Sequence, residues 1–159
     1  MMVTVGIADF KVRKDDNCTL VTYSLGSCIG VCVYDPVVKV GGILHYMLPE
    51  SQMDPSKASK NPAMFADTGI PLLFKECYRY GAQKKRMIVK VAGGSQILDE
   101  SGFFNIGKRN YAALRKIFWR NNVLIDFEDV GGTVSRTLYM DISTGVVRVK
   151  MSGKGIRDL

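Results

Sequence analysis

The chain carries a single histidine, His45, and four cysteines, Cys18, Cys28, Cys32 and Cys77. Chemistry that needs two imidazoles is excluded at once, His-rich zinc catalysis and paired-imidazole acid/base schemes included. No two cysteines stand in a C-x-x-C pair, and scattered thiols with one imidazole do not have zinc-ligand spacing, so neither a metal nor a cofactor is expected. What these residue types can still do is nucleophilic catalysis, a thiol attacking with the imidazole as its base.

A register argument singles out Cys28. Short apolar segments at residues 19–23, 28–34 and 40–47 read as strands, as does 3–8. Between the last two of the series, Asp35-Pro36-Val37-Val38 places Asp first and Pro second, as a tight type I turn prefers, and predicts a hairpin. With Pro36 and Val37 at the tip, Asp35 faces Val38, and counting outward sets Cys28 directly opposite His45. Directly opposed residues share a face with Cβ atoms about 4.5–5.5 Å apart, within hydrogen-bonding reach for a thiol and an imidazole. The alternation puts Ile29, Val31 and Val33 on one face and Cys28, Gly30 and Cys32 on the other. Both faces are apolar or small, which predicts a sheet covered on both sides. Cys32 shares the face of Cys28 but lies roughly 13 Å along the strand, and it is read with Cys18 and Cys77 as structural.

A histidine beside Cys28 would lower the thiol pKa from its ordinary value by stabilising the thiolate. Leu25-Gly26-Ser27 precedes the cysteine, a turn whose N–H groups are candidate oxyanion donors, with Gly26 letting the backbone approach. Ser27 is the competing nucleophile, although on extended chain it points away from Cys28 and His45. Thr22, at the end of the preceding strand, can accept a hydrogen bond from the far imidazole nitrogen and orient the ring. A neutral hydroxyl stabilises an imidazolium less than a carboxylate does, so slow turnover is expected. Free cysteines are also among the most buried residue types, and on the residue pattern alone a lone Cys beside a lone His favours packing over catalysis.

Beyond the hairpin, residues 49–62 are polar and rich in Ser, Lys and Pro, which predicts a mobile surface loop. Ala63, Ala66, Ile70, Leu73, Phe74 and Cys77 then form a helical stripe stopped at Gly81, with Pro71 predicting a kink or a fresh start. A strand at 87–92 ends in Gly93-Gly94-Ser95, where a glycine pair lets a substrate backbone approach; Gly94 and Ser95 therefore line a cleft or simply make a turn. A second helix spans about 107–121, and strands at 123–130, 137–142 and 146–151 complete an α+β chain. Residues 1–159 make one domain, with 152–159 as a flexible tail.

With 47% hydrophobic and 23% charged residues the chain has the composition of a globular protein with a real core. The net charge of +7 suits nucleic acid, an anionic membrane or an acidic protein equally and does not choose among them. No charged-then-apolar leader opens the chain and no apolar run nears the roughly 20 residues that span a bilayer, so a cytoplasmic protein with reduced thiols and no membrane insertion is expected. Lys84-Lys85-Arg86 and Arg115-Lys116, with Trp119 and Arg120, raise nucleic-acid binding as a reading, but solvated faces account for them, and no nucleic-acid partner is expected.

Leu25-Gly26-Ser27-Cys28, Asp35-Pro36, Gly41-Gly42, His45-Tyr46-Met47-Leu48-Pro49, Ala66-Asp67, Ala92-Gly93-Gly94 and Asn105-Ile106-Gly107-Lys108-Arg109-Asn110 together resemble the chemoreceptor glutamine deamidase family, CheD. The resemblance covers nearly the whole chain in order. It implies a cytoplasmic enzyme that hydrolyses the side-chain amide of particular glutamines on chemoreceptor helices to glutamate and ammonia, and in some members receptor methyl esters as well. The family's nucleophile maps to Cys28, its histidine to His45 and its hydroxyl to Thr22. It also implies a β-sandwich-like core of mixed and antiparallel sheets flanked by helices, similar to the catalytic domain of cytotoxic necrotizing factor toxins, and a chemotaxis phosphatase partner, CheC. A member that serves chiefly as a non-catalytic binding module for CheC is the alternative. Asn105 and Asn110 lie in a family-like segment and are equally candidate helix caps. Gly69 and Pro71 interrupt a helix the family shows as continuous, and Ser24 stands where a glycine is frequent.

Overall fold

The computed structural model describes residues 1–96 and 104–159. In chain order the strands and helices are β1 (Met2–Thr4), β2 (Asp9–Lys14), β3 (Thr19–Leu25), β4 (Ile29–Asp35), β5 (Val40–Tyr46), α1 (Pro55–Lys60), α2 (Ala66–Arg79) and β6 (Ile88–Gly93). There follow α3 (Ile106–Arg120), β7 (Phe127–Val130), β8 (Arg136–Asp141), β9 (Val147–Met151) and β10 (Gly155–Asp158). They form two five-stranded mixed sheets, ordered β1-β3-β8-β9-β10 and β2-β5-β4-β6-β7. The class is α+β, as the sequence predicts. Pairing is less local than neighbour-to-neighbour hairpins, because β1 joins β3 and β6 joins β7 in parallel.

Alternation along the strands builds two apolar layers. Leu20 and Leu25 of β3 and Leu138 and Met140 of β8 meet Cys32 and Ile43 of β4 and β5 between the sheets. On the other face of the second sheet, Val31, Val33 and Leu44 pack beneath Ile70, Leu73 and Phe74 of α2 and Leu114 and Phe118 of α3. Every residue of β4 and β5 is consequently buried, matching strands that are apolar on both faces. Gly30 belongs to this arrangement: a Cβ there would lie 2.7 Å from Leu138 and 2.9 Å from Leu25, so glycine sets how closely the two sheets approach.

The β4–β5 hairpin forms, but its register differs from the expected one. Asp35 pairs with Val40 and Gly30 with His45. Four residues make the tip, with Lys39 in the left-handed region at φ 54°. Asp35 is drawn inward rather than serving as a simple turn corner: its buried carboxylate accepts from Val37 N (2.9 Å) and Gln83 N (2.8 Å) and pairs with Arg86 at 2.9 Å. A two-residue slip preserves faces. Cys28 therefore still shares the inter-sheet face with His45 but sits diagonally from it, one position before β4 begins.

Other expectations are corrected. Residues 49–62 are not an irregular loop; they contain 3-10 turns at Ser51–Met53 and Pro62–Met64 around α1, which Asp54 caps by accepting from Lys57 N. Helix α2 runs through Pro71 as one element rather than starting afresh there, without the bond that a residue with an N–H would send to the preceding turn. Strand β2 was missed, although Phe10 and Val12 alternate with Asp9, Lys11 and Arg13 as in a half-buried strand. Residues 152–159 are not a tail: β10 pairs antiparallel with β9, Leu159 N donates to Val147 O (2.9 Å), and Lys90 Nζ donates to Leu159 O (2.7 Å). No helix among the described residues is long and apolar enough to cross a membrane.

Candidate active site

Thr22 comes from the first sheet, His45 from the second, and Cys28 from the connection that carries the chain from β3 to β4. The crossing begins with a register shift between Thr22 and Leu25, where Ser24 adopts φ 59°. Ser24 thus holds a left-handed conformation that glycine adopts most readily. Residues 26–28 then pass between the sheets, and Ile29 starts β4.

His45 and Thr22 are both fully buried, and Thr22 Oγ1 lies 2.7 Å from His45 Nδ1. Thr22 Oγ1 also donates to Val5 O at 2.8 Å. A hydroxyl has one proton to give. With that proton on Val5 O, the contact to His45 requires Nδ1–H as donor, which leaves Nε2 unprotonated, the form a general base needs. Among the described residues Nε2 has no hydrogen-bond partner, so Cys28 and His45 are not hydrogen-bonded at rest.

Cys28 is half-buried, whereas Cys18, Cys32 and Cys77 are buried. The reactive candidate is thus the one cysteine that is not fully buried. The expected depression of its pKa does not occur. Burial pushes the Cys28 thiol up to about 11, with its own N–H opposing, and burial pushes His45 down to about 4. Desolvation penalises both charged forms, so the resting pair is a neutral thiol beside a neutral imidazole.

The turn before Cys28 is fastened from behind. Gly94 N donates to Cys28 O (2.9 Å) and Ser95 N to Gly26 O (2.8 Å). Gly93, at φ 112°, brings the backbone so close that a Cβ would fall 2.2 Å from Cys28 O. Gly94 and Ser95 therefore sit against the Cys28 turn with their N–H groups committed to it. Ser95 is itself buried, its hydroxyl donating to Val134 O (2.6 Å) and accepting from Arg136 at 2.8 Å. Gly26 N is spent on Ser24 O. Ser27 and Cys28 N–H donate to no backbone carbonyl among the described residues, which leaves these two as the oxyanion donors the turn can offer. Arg136 was missed: buried, it bonds Ser95 and pairs with Asp129 at 3.0 Å, and a lone arginine opening an apolar strand gave no signal for it. Among the described residues no three His, Cys, Asp or Glu side chains converge on a metal-sized site.

A family model described as CheD, chemotactic sensory transduction, matches residues 47–151. The chain belongs to the CheD family. Similar proteins share this membership over nearly their full lengths. The "Probable chemoreceptor glutamine deamidase CheD 1" of Syntrophus aciditrophicus is 60% identical over 99% of this chain and 98% of its own. The "Probable chemoreceptor glutamine deamidase CheD" of Solibacter usitatus is 48% identical over 96% and 90%. "Probable chemoreceptor glutamine deamidase CheD 2" of Anaeromyxobacter dehalogenans is 46% identical over 94% of each. The CheD model's match begins at Met47 and does not reach Thr22, Cys28 or His45.

Proposed function

We propose that this chain is a protein-glutamine deamidase acting on chemoreceptors, with Cys28 as nucleophile, His45 as acid and base, and Thr22 as the group that orients the imidazole. The observation that carries the reading is the Thr22 hydroxyl shared between Val5 O and His45 Nδ1, which leaves Nε2 as a free base on the face that Cys28 shares. Membership of the CheD family supplies the substrate class.

In this mechanism the Cys28 thiol gives its proton to His45 Nε2 as Sγ attacks the γ-carboxamide carbon. The tetrahedral oxyanion takes hydrogen bonds from Ser27 and Cys28 N–H. Collapse breaks the C–N bond, the imidazolium protonates the leaving ammonia, and a thioester remains. Water then attacks with His45 as base, releasing glutamate and restoring the thiol. Receptor methyl esters fit the same steps, with methanol leaving. The proposal places one deamidase domain in the cytoplasm, where receptor helices are reached, with CheC as a protein partner and the sandwich akin to that of cytotoxic necrotizing factor toxins.

Mass spectrometry of receptor cytoplasmic fragments incubated with purified protein tests the reading. Wild type is expected to convert specific glutamines to glutamates, while folded Cys28→Ala and His45→Ala convert none. Conversion by Cys28→Ala at the wild-type rate overturns it. No conversion by any of the three leaves the CheC-binding role.

A further inference from the structure

Asn110 lies in α3 and is fully buried. Its side chain does not cap the helix. Nδ2 donates to Ser27 O at 2.9 Å and to Met47 O at 2.8 Å, the first adjoining Cys28 and the second two residues beyond His45. The Tyr46 hydroxyl donates to the main-chain O of Asn110 at 2.7 Å. A single helical residue thus bonds to the nucleophile's turn and to the end of the strand that carries the base.

The orientation of the amide is fixed. Turned over, Oδ1 would face two carbonyl oxygens, and both donors would lose their acceptors. In the observed orientation Oδ1 is buried with no hydrogen-bond partner among the described residues, a state that a purely space-filling polar residue has no reason to adopt. The donor end is satisfied twice and the acceptor end not at all. The backing is firm as well: a Cβ on Gly107 would fall 2.4 Å from Ser95 O and 2.8 Å from Gly94 O, so the first turn of α3 is pressed onto the loop that holds Cys28 O and Gly26 O.

We infer that Asn110 is a positioning residue, its carboxamide clamping the Cys28 turn to the end of β5 and so setting the separation of Sγ from His45 Nε2. The inference rests on the reading of Cys28 and His45 as chemical partners. Gly94 N and Ser95 N fasten the Cys28 turn on the β6 side and His45 is held by its strand and by Thr22; the Asn110 amide adds the side-chain link between that turn and the end of β5. A displacement of about 1 Å between reacting groups can cost on the order of 100-fold in rate.

A double-mutant cycle on Cys28 alkylation by iodoacetamide tests this without any receptor. Rates are measured for wild type, His45→Ala, Asn110→Ala and the double variant, at a temperature where circular dichroism shows each folded. His45→Ala is expected to slow alkylation about tenfold in the wild-type background, through loss of the base that takes the thiol proton as Sγ attacks, and less than about twofold in the Asn110→Ala background. On receptor fragments Asn110→Ala is expected to lower kcat about 100-fold with KM within about threefold. The same His45 effect in both backgrounds, or none in either, overturns the inference. If Asn110→Ala does not fold, Asn110→Ser, which keeps a donor on a short side chain, is measured in its place, with partial loss of coupling expected and full coupling overturning the inference. Coupling lost through Asn110 in a protein that deamidates nothing would leave the clamp standing and sink the deamidase reading; deamidation with coupling untouched would do the reverse.

Discussion

Thr22 of one sheet and His45 of the other meet through a 2.7 Å contact in the buried layer between them, and the Thr22 hydroxyl donates a hydrogen bond to Val5 O at 2.8 Å. The direction of that second bond decides the tautomer of the first. An imidazole oriented this way has its basic nitrogen free before any substrate arrives.

Replacing the hydroxyl tests the relay. Thr22→Val keeps the shape but leaves Nδ1–H without an acceptor when the imidazolium forms. A hydrogen bond to a charged group is worth about 1.5–3 kcal/mol, so kcat is expected to fall roughly 10- to 100-fold, with Thr22→Ser close to wild type. Steady-state deamidation by the three proteins checks it, and a Thr22→Val enzyme as fast as wild type refutes the relay.

The neutral resting pair has its own pH signature. With His45 near 4 and Cys28 near 11, the competent form is populated throughout the range between, and kcat/KM is expected to be flat from about pH 5.5 to 9. Cys28 alkylation should still be climbing at pH 9, as the thiolate fraction grows. A thiolate–imidazolium pair would instead react at a constant rate above neutrality, and a plateau there would contradict the burial argument.

Burial of His45 also makes folding stability depend on pH. The imidazole titrates near 6.5 when unfolded and near 4 when folded, so between these values the unfolded chain binds more protons and stability rises with pH. The contribution is complete above about pH 6.5 and is lost as pH falls toward 4, a swing of about 3 kcal/mol. Urea unfolding across this window should show the slope in wild type and a weaker one in His45→Gln. Equal slopes would place the pH dependence elsewhere.

Gly93 and Gly131 share positive φ, 112° and 82°, but differ in surroundings. A Cβ at Gly93 meets Cys28 O at 2.2 Å, whereas one at Gly131 meets nothing within 4 Å. Backbone strain of about 1–3 kcal/mol is common to both alanine variants. Gly93→Ala is expected to lose more stability than Gly131→Ala and also to lose activity, because it displaces the nucleophile's turn. Thermal unfolding and deamidation measured side by side check this, and matched behaviour would mean that the turn yields without consequence.

Much of the architecture was legible because alternation with a period of two is written locally. It assigned the faces of β4 and β5, put Cys28 and His45 on the same side, and pointed to Thr22 as a neighbour of the imidazole, where the structure places it. Register was not legible in the same way. The two-residue slip of the hairpin accompanies a buried Asp35 held by Gln83 N and Arg86, groups about fifty residues distant in sequence, and faces survive such a slip while direct opposition does not.

Residue types and order therefore determined the sheet faces and the family, and brought one thiol and one imidazole to the same face. Only the tertiary structure decided the rest. Val5 O reaches Thr22 because β1 lies beside β3, Asn110 ties turn to strand because α3 packs on the second sheet, and the charges of Cys28 and His45 follow from how much water the stacked sheets exclude. Hydrogen-bond direction and desolvation belong to neighbours in space, and a linear sequence does not specify those until the chain has folded.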